Sequence, residues 1–200
     1  MIHLIIGGAR SGKSAFAEKT VLNQSSAPVY IATATALDNE MRSRIAHHQR
    51  LRSSNWHLIE CPLALDKLLL NEAQSISQDT RHYLLDCLTL WLNNIIYQYD
   101  QQLQSVNYEP TSAQYEKISA GIENTITDFI EQLSAFKNTH INITLVSNEV
   151  GLGIIPMGII SRLFLDHCGR LNQKVAQLAD RVTLITAGLP LELKSPQKSL

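Results

Sequence analysis

Apolar positions along the chain keep two rhythms that alternate from the first residues onward. His3-Leu4-Ile5-Ile6 is a short apolar run ended by Gly7-Gly8, the pattern of a buried strand, and residues 14–22 after it carry helical spacing. Val29-Tyr30-Ile31-Ala32 reads as a second strand. Residues 38–52 read as a helix with Asp38 as its N-cap. A third strand covers 56–60 and is stopped by Pro62, with a helix over 63–74. His82-Tyr83-Leu84-Leu85 is a fourth strand ending at Asp86, which is also placed to cap a helix starting at Cys87. Residues 141–146 and 182–186 give a fifth and a sixth strand, the sixth closed by Gly188-Leu189-Pro190. Between these two, Phe164, Cys168, Leu171, Val175 and Leu178 recur at steps of four and three, one face of an amphipathic helix.

Strands alternating with helices predict an α/β fold with a mostly parallel central sheet flanked by helices. No internal repeat divides the chain, so residues 1–200 are expected to form a single domain. The polar stretch 98–114 is expected as a loop or insertion, and 194–200 as a flexible tail.

Composition narrows the function classes. With 44% hydrophobic and 18% charged residues the chain has enough apolar side chains for a core. Its net charge of −1 gives no global basic field for nucleic acid or an anionic membrane. No apolar run approaches the ~18–20 residues of a bilayer span, and Met1-Ile2-His3-Leu4-Ile5-Ile6 lacks the features of a secretory signal. Cys61, Cys87 and Cys168 are odd in number and far apart, which argues against a disulfide framework or a local zinc site. The expectation is a cytoplasmic protein.

Gly7-Gly8-Ala9-Arg10-Ser11-Gly12-Lys13-Ser14 satisfies G-x-x-x-x-G-K-[ST] between a predicted strand and a predicted helix, the context a phosphate-binding P-loop needs. The glycines let backbone N–H groups turn onto phosphate oxygens, and the helix start aims its positive dipole end at the same anion. Lys13 is the candidate charge for the β- and γ-phosphates, and the Ser14 hydroxyl a candidate ligand of Mg²⁺. Asp86, an acid at the end of an apolar strand, is the candidate second magnesium ligand.

The helix over 38–52 is rich in cationic and titratable residues: Arg42, Arg44, His47, His48, Arg50 and Arg52. Met41, Ile45, His48 and Arg52 fall on one stripe, which packs His48 at the core edge, and His47 lies about 100° away. A neutral imidazole there, with guanidinium groups nearby, is a candidate nucleophile toward phosphorus. A solvated basic face and a nucleic-acid contact are the competing readings of the same helix.

Several segments together resemble the bifunctional adenosylcobinamide kinase / adenosylcobinamide-phosphate guanylyltransferase family. They are the phosphate loop, Tyr30-Ile31-Ala32-Thr33, Asp38-Asn39-Glu40-Met41 leading to His47-His48, Trp56 with Glu60, and Leu85-Asp86-Cys87-Leu88-Thr89. Ser147-Asn148-Glu149-Val150-Gly151-Leu152-Gly153-Ile154-Ile155-Pro156 and Gly169-Arg170-Leu171-Asn172-Gln173 complete the set. The loop motif is widely shared among nucleotide-using proteins; the histidine pair and the Ser-Asn-Glu-Val-Gly segment are much more specific.

The resemblance implies a recombinase-like P-loop NTPase fold and two reactions. Adenosylcobinamide is phosphorylated with ATP or GTP, and GMP is then transferred from GTP onto adenosylcobinamide phosphate through a guanylylated histidine, whose position is His47. It implies nucleotide contacts on the phosphate loop, on Ala32, Thr33 and Ala34, on His48, Gln49, Arg50 and Leu51, and on Glu60 and Asp86. It also implies a homotrimer with small-molecule substrates, and the net charge of −1 leads to the expectation of no nucleic-acid partner. Many family members carry Glu where this chain has Asp86, which keeps the carboxylate and shortens its reach. A kinase acting on another small alcohol and a nucleotide-binding regulatory module are the rival functions; His47 argues against the first and the net charge against the second.

Overall fold

The computed structural model describes residues 1–35, 55–74, 79–99, 110–137 and 139–196. They contain β1 (Ile2–Gly7), α1 (Lys13–Leu22), β2 (Val29–Ala32), β3 (His57–Glu60), α2 (Leu65–Gln74), β4 (Arg81–Asp86) and α3 (Leu88–Tyr99), followed by α4 (Ser112–Ser134), β5 (Ile141–Asn148), α5 (Ile159–Leu178), β6 (Arg181–Thr186) and β7 (Leu189–Lys194). The strands form one sheet in the order β3-β2-β4-β5-β1-β6-β7. Every pairing is parallel except that of β6 with β7.

Alternation along the strands feeds two apolar layers, as a doubly covered sheet requires. On β1, Leu4 and Ile6 face a core shared with α2, α3, α4 and α5, whose centre includes Trp91, Phe129, Leu133 and Leu171. Ile5 faces the other side, where Ala17 and Val21 of α1 meet Tyr30, Leu84, Val146 and Ile185. Trp91 and Phe129 pack at a tilt of 44° with ring centroids 4.9 Å apart, and the Trp91 indole N–H donates to the Leu63 carbonyl at 2.7 Å. The fold is that of a P-loop NTPase: a mostly parallel sheet with helices on both faces and the glycine loop between β1 and α1. No helix among the described residues is long and apolar enough to cross a membrane.

The predicted strands are all present, most with ends one or two residues longer. Three expectations are corrected. The stretch 98–114, expected as loop or insertion, overlaps two helices: Gln98 and Tyr99 end α3, and Ser112 opens the 23-residue α4, while 100–109 lie outside the described residues. A reciprocal capping box starts α4, with the Thr111 hydroxyl accepting from the Gln114 N–H at 3.3 Å and the Gln114 side chain accepting from the Thr111 N–H at 2.9 Å. Ile118, Ile122, Ile126, Phe129 and Leu133 then form its buried face. The sixth strand closes as expected, but after the turn at Gly188 the chain runs into a further strand, β7, so Lys194, expected in a flexible tail, ends a strand paired with β6. Asp86 belongs to β4 and the next helix begins at Leu88, so its carboxylate is engaged elsewhere, as described below.

Candidate active site

Parallel strands of an open α/β sheet present their carboxyl ends to one crevice, and the described candidate residues stand along that edge. Gly7 lies opposite Asn148 of β5 on one side and Ile185 of β6 on the other. A Cβ at Gly7 would come within 2.5 Å of the Ile185 carbonyl oxygen and 2.7 Å of Ser11 Oγ, so any side chain there would displace the loop. The loop closes with the Ser11 N–H donating to the Gly8 carbonyl at 3.3 Å. Arg10 (φ 57°) and Gly12 (φ 92°) are both left-handed, and Gly12 is the residue that enters α1. The first turn of α1 carries no acidic side chain, so its positive end faces the loop uncompensated.

Lys13 is the most constrained charge at this edge. It is 9% exposed, and its ammonium donates to the Gly8 carbonyl at 3.1 Å. Burial pulls its pKa below the usual lysine value, with Cys87 and Asp86 acting in the opposite direction. The Cys87 thiol is itself pushed up to about 11 by burial and therefore stays neutral near pH 7. That leaves Asp86 as the neighbour whose coulombic influence favours the charged form of Lys13.

Asp86 is held by its neighbours on β2. The Tyr30 hydroxyl donates to Asp86 Oδ2 at 3.0 Å, and the buried Tyr30 ring is fixed edge-on against Trp56, with centroids 5.5 Å apart. Ala32 stands opposite Asp86 on β4 and opposite Glu60 on β3, which brings three of the expected nucleotide-contact positions into one row. Thr33 is fully buried: its hydroxyl donates to the Cys87 carbonyl at 2.7 Å and accepts from the Cys87 N–H at 2.8 Å. Asn94 of α3 donates to the Thr33 carbonyl at 2.8 Å. Thr33 thus clamps the exits of β2 and β4 together, and Glu60 is exposed at the end of β3.

Because β5 lies between β1 and β4, it sets its own polar residues between the phosphate loop and Asp86. Asn148 donates to the Thr89 hydroxyl at 2.7 Å, and the Glu149 N–H donates to the Gly7 carbonyl at 3.0 Å. Asn172 of α5 supports this turn, donating to the Asn148 carbonyl at 3.1 Å and accepting from Ser147 Oγ at 2.6 Å. Tyr30, Thr89, Asn94, Asn148 and Asn172 are supporting residues that reading the chain in order assigned no role. Asn148 ends β5 as Asp86 ends β4, but two residues past the end predicted for β5.

Ser14, one residue into α1, and Asp86 are hard oxygen donors of the kind a hydrated magnesium takes alongside phosphate oxygens. Among the described residues no group of three or more His, Cys, Asp or Glu is arranged to cage a metal. His47, His48, Gln49, Arg50 and Leu51 lie outside the described residues.

Comparison with known proteins adds an independent line. A family model described as cobinamide kinase / cobinamide phosphate guanyltransferase matches residues 3–193. The chain is 40% identical over 194 residues to the bifunctional adenosylcobalamin biosynthesis protein CobP of Pseudomonas aeruginosa, covering 97% of this chain and 98% of that protein. To the bifunctional adenosylcobalamin biosynthesis protein CobU of Escherichia coli K12 it is 34% identical over 194 residues, 97% of this chain and 100% of that one. Among solved structures, the RadB recombinase aligns with a TM-score of 0.49 at 11% identity, over 92% of this chain and 73% of that one.

Proposed function

The chain belongs to the cobinamide kinase / cobinamide phosphate guanyltransferase family, and we propose that as one domain it carries out both reactions on adenosylcobinamide, with ATP or GTP as phosphate donor and GTP as guanylyl donor. The observation that carries this reading is the buried Lys13 ammonium, folded against the Gly8 carbonyl in a glycine loop that opens a helix, on the same sheet edge as Asp86.

In the kinase step, Lys13 and the loop N–H groups hold the β- and γ-phosphates and take up the charge that builds during transfer. The acceptor hydroxyl oxygen forms a bond to the γ-phosphorus and gives up its proton to solvent, the bridging P–O bond breaks, and a nucleoside diphosphate leaves with that electron pair. Ser14 and Asp86 would hold Mg²⁺, which supplies further neutralisation of the phosphate oxygens when bound.

In the second step an unprotonated nitrogen of His47 bonds to the α-phosphorus of GTP as the α–β bridge breaks, releasing pyrophosphate. A phosphate oxygen of adenosylcobinamide phosphate then attacks the same phosphorus, the N–P bond breaks, and His47 is regenerated. Splitting one displacement into two is the ordinary advantage of a covalent nucleophile. Ala32, Thr33, Ala34, His48, Gln49, Arg50, Leu51 and Glu60 are the further nucleotide contacts of this reading, and the assembly is a homotrimer, which light scattering checks.

Incubation with α-labelled GTP and Mg²⁺ without corrinoid tests it. The protein should take up label in a bond that is acid-labile and comparatively base-stable. His47→Ala should lose the label and guanylyl transfer yet keep kinase activity, and His48→Ala should still accept label. Label lost with His48→Ala and kept with His47→Ala would move the nucleophile to the other histidine; no label on the wild-type protein would remove the covalent step.

A further inference from the structure

The segment leaving β5 carries a concentration of apolar surface that the nucleotide site does not use. Leu152, Ile154, Ile155 and Met157 are 87%, 98%, 68% and 92% exposed, four large aliphatic side chains within six residues. Single exposed aliphatics are commonplace on protein surfaces, but four concentrated in one short segment point to a binding surface. Residues 151–158, Gly-Leu-Gly-Ile-Ile-Pro-Met-Gly, contain no charged side chain, which suits a ligand with a broad apolar face better than a polyphosphate.

The place of this segment is fixed at both ends. At its start the Glu149 N–H is bonded to the Gly7 carbonyl, and Glu149 Oε1 accepts from the Gly151 N–H at 2.7 Å. Three residues of chain span at most roughly 10 Å, so Leu152 stands within that distance of Glu149, beside the phosphate loop. At its end Arg162 of α5 donates to the Pro156 carbonyl at 3.4 Å and also to the Met157 carbonyl. The same Arg162 lines an open pocket of about 290 Å³ with Ser112, Tyr115, Glu116 and Ile159. The surface is therefore a braced apolar platform that begins at the phosphate loop and ends at a polar pocket.

We propose that Leu152, Ile154, Ile155 and Met157 form the surface on which the macrocycle of the corrinoid acceptor lies while its hydroxyl points to the phosphate loop. The proposal rests on the reading that this protein phosphorylates adenosylcobinamide. A corrinoid is a broad, largely hydrocarbon ring with amide side arms and one arm ending in the reacting hydroxyl. The aliphatic platform matches the ring, the Ser112, Glu116 and Arg162 side chains match the amides, and continuity with Gly7 brings the hydroxyl to the phosphate end.

The test uses the full chain and the variants Ile154→Ser with Met157→Ser, and separately Leu152→Ser. Because these side chains are exposed, the variants should fold, and an unchanged thermal transition verifies it. The expected result is a rise of about tenfold or more in KM for adenosylcobinamide and in its directly measured Kd, with KM for the nucleotide and corrinoid-free labelling from GTP at wild-type levels. Wild-type acceptor KM in folded variants overturns the platform and leaves the kinase reading intact. A changed oligomeric mass, whatever the KM, assigns the surface to contact between copies of this chain and also overturns the proposal. If the wild-type protein neither binds nor phosphorylates adenosylcobinamide, the kinase reading itself fails and the platform falls with it.

Discussion

The Gly188 N–H donates to the Ser11 carbonyl at 2.9 Å, so the tip of the β6–β7 hairpin is fastened to the phosphate loop. Ala187 (φ 48°) and Gly188 (φ 78°) are both left-handed, the conformation that tight hairpins need to match strand twist. A Cβ on Gly12 would stand 3.4 Å from the Gly188 Cα, so the two backbones pack directly. The outermost strand of the sheet thereby helps set the position of the loop.

Gly188→Ala therefore should act on the site as well as on stability. A left-handed alanine costs about 1 kcal/mol, which in a chain of this size lowers Tm by roughly 2–4 °C. The displaced N–H should also weaken nucleotide binding several-fold. Thermal unfolding with and without nucleotide separates the two effects: a lower Tm with unchanged nucleotide Kd would confine the turn to stability.

How much of this was legible in the chain depends on whether the signal is local. The glycine loop, its strand and its helix are contiguous, and Asp86 ends an unambiguous apolar run. The capping box at Thr111–Gln114 and the Ile118/Ile122/Ile126 spacing were equally local, but the polar residues before them masked the boundary. Pro190 lies in the segment that closes the sixth strand, and no local signal there announces β7. On the edge strand β7 the proline is tolerated, paired with Ile185 in an antiparallel register. Asn148 is different in kind. Its relation to Gly7 and to the strand carrying Asp86 exists because β5 inserts between β1 and β4, and strand order is a non-local property.

His3 gives a pH dependence of stability. It is buried between β1 and β6, with Nε2 2.9 Å from the Thr183 hydroxyl, and burial, reinforced by Arg181, lowers its pKa from 6.5 to about 4. The folded state thus resists protonation while the unfolded chain accepts it. The contribution is complete above the ordinary histidine value and is lost as pH falls from about 6.5 toward 4. That shift corresponds to roughly 3 kcal/mol, and His167, also lowered by burial, acts in the same direction. Urea unfolding across this range should show the slope, and His3→Gln should flatten it.

Lys13 should report its burial when nucleotide binds. Its pKa is lowered in the free protein, and an adjacent polyphosphate raises it again, so binding at alkaline pH should take up protons. Titration calorimetry in two buffers of different ionisation enthalpy measures this uptake, which Lys13→Ala should abolish. The same substitution removes charge that matters most during transfer, and kcat for the kinase step should fall by about 10² or more. Near-wild-type turnover in folded Lys13→Ala protein would contradict the assignment of the loop.

Tyr30 and Asp86 should control the metal requirement in a graded way. Excess EDTA should stop turnover, since the proposed Ser14 and Asp86 ligands act only through the ion they hold. Asp86→Asn keeps the shape but removes the anion, so the Mg²⁺ concentration for half-maximal kinase activity should rise by about tenfold or more. Tyr30→Phe preserves the contact with Trp56 and deletes the 3.0 Å hydrogen bond to Asp86. A hydrogen bond to a charged group is worth about 1.5–3 kcal/mol, part of which orients the carboxylate, so a smaller rise of a few-fold is expected. The ordering wild type, Tyr30→Phe, Asp86→Asn is the discriminating result. If Asp86→Asn left the magnesium dependence unchanged, Asp86 would serve to anchor Tyr30 and the exit of β4, and the metal ligand would have to be sought elsewhere along the sheet edge.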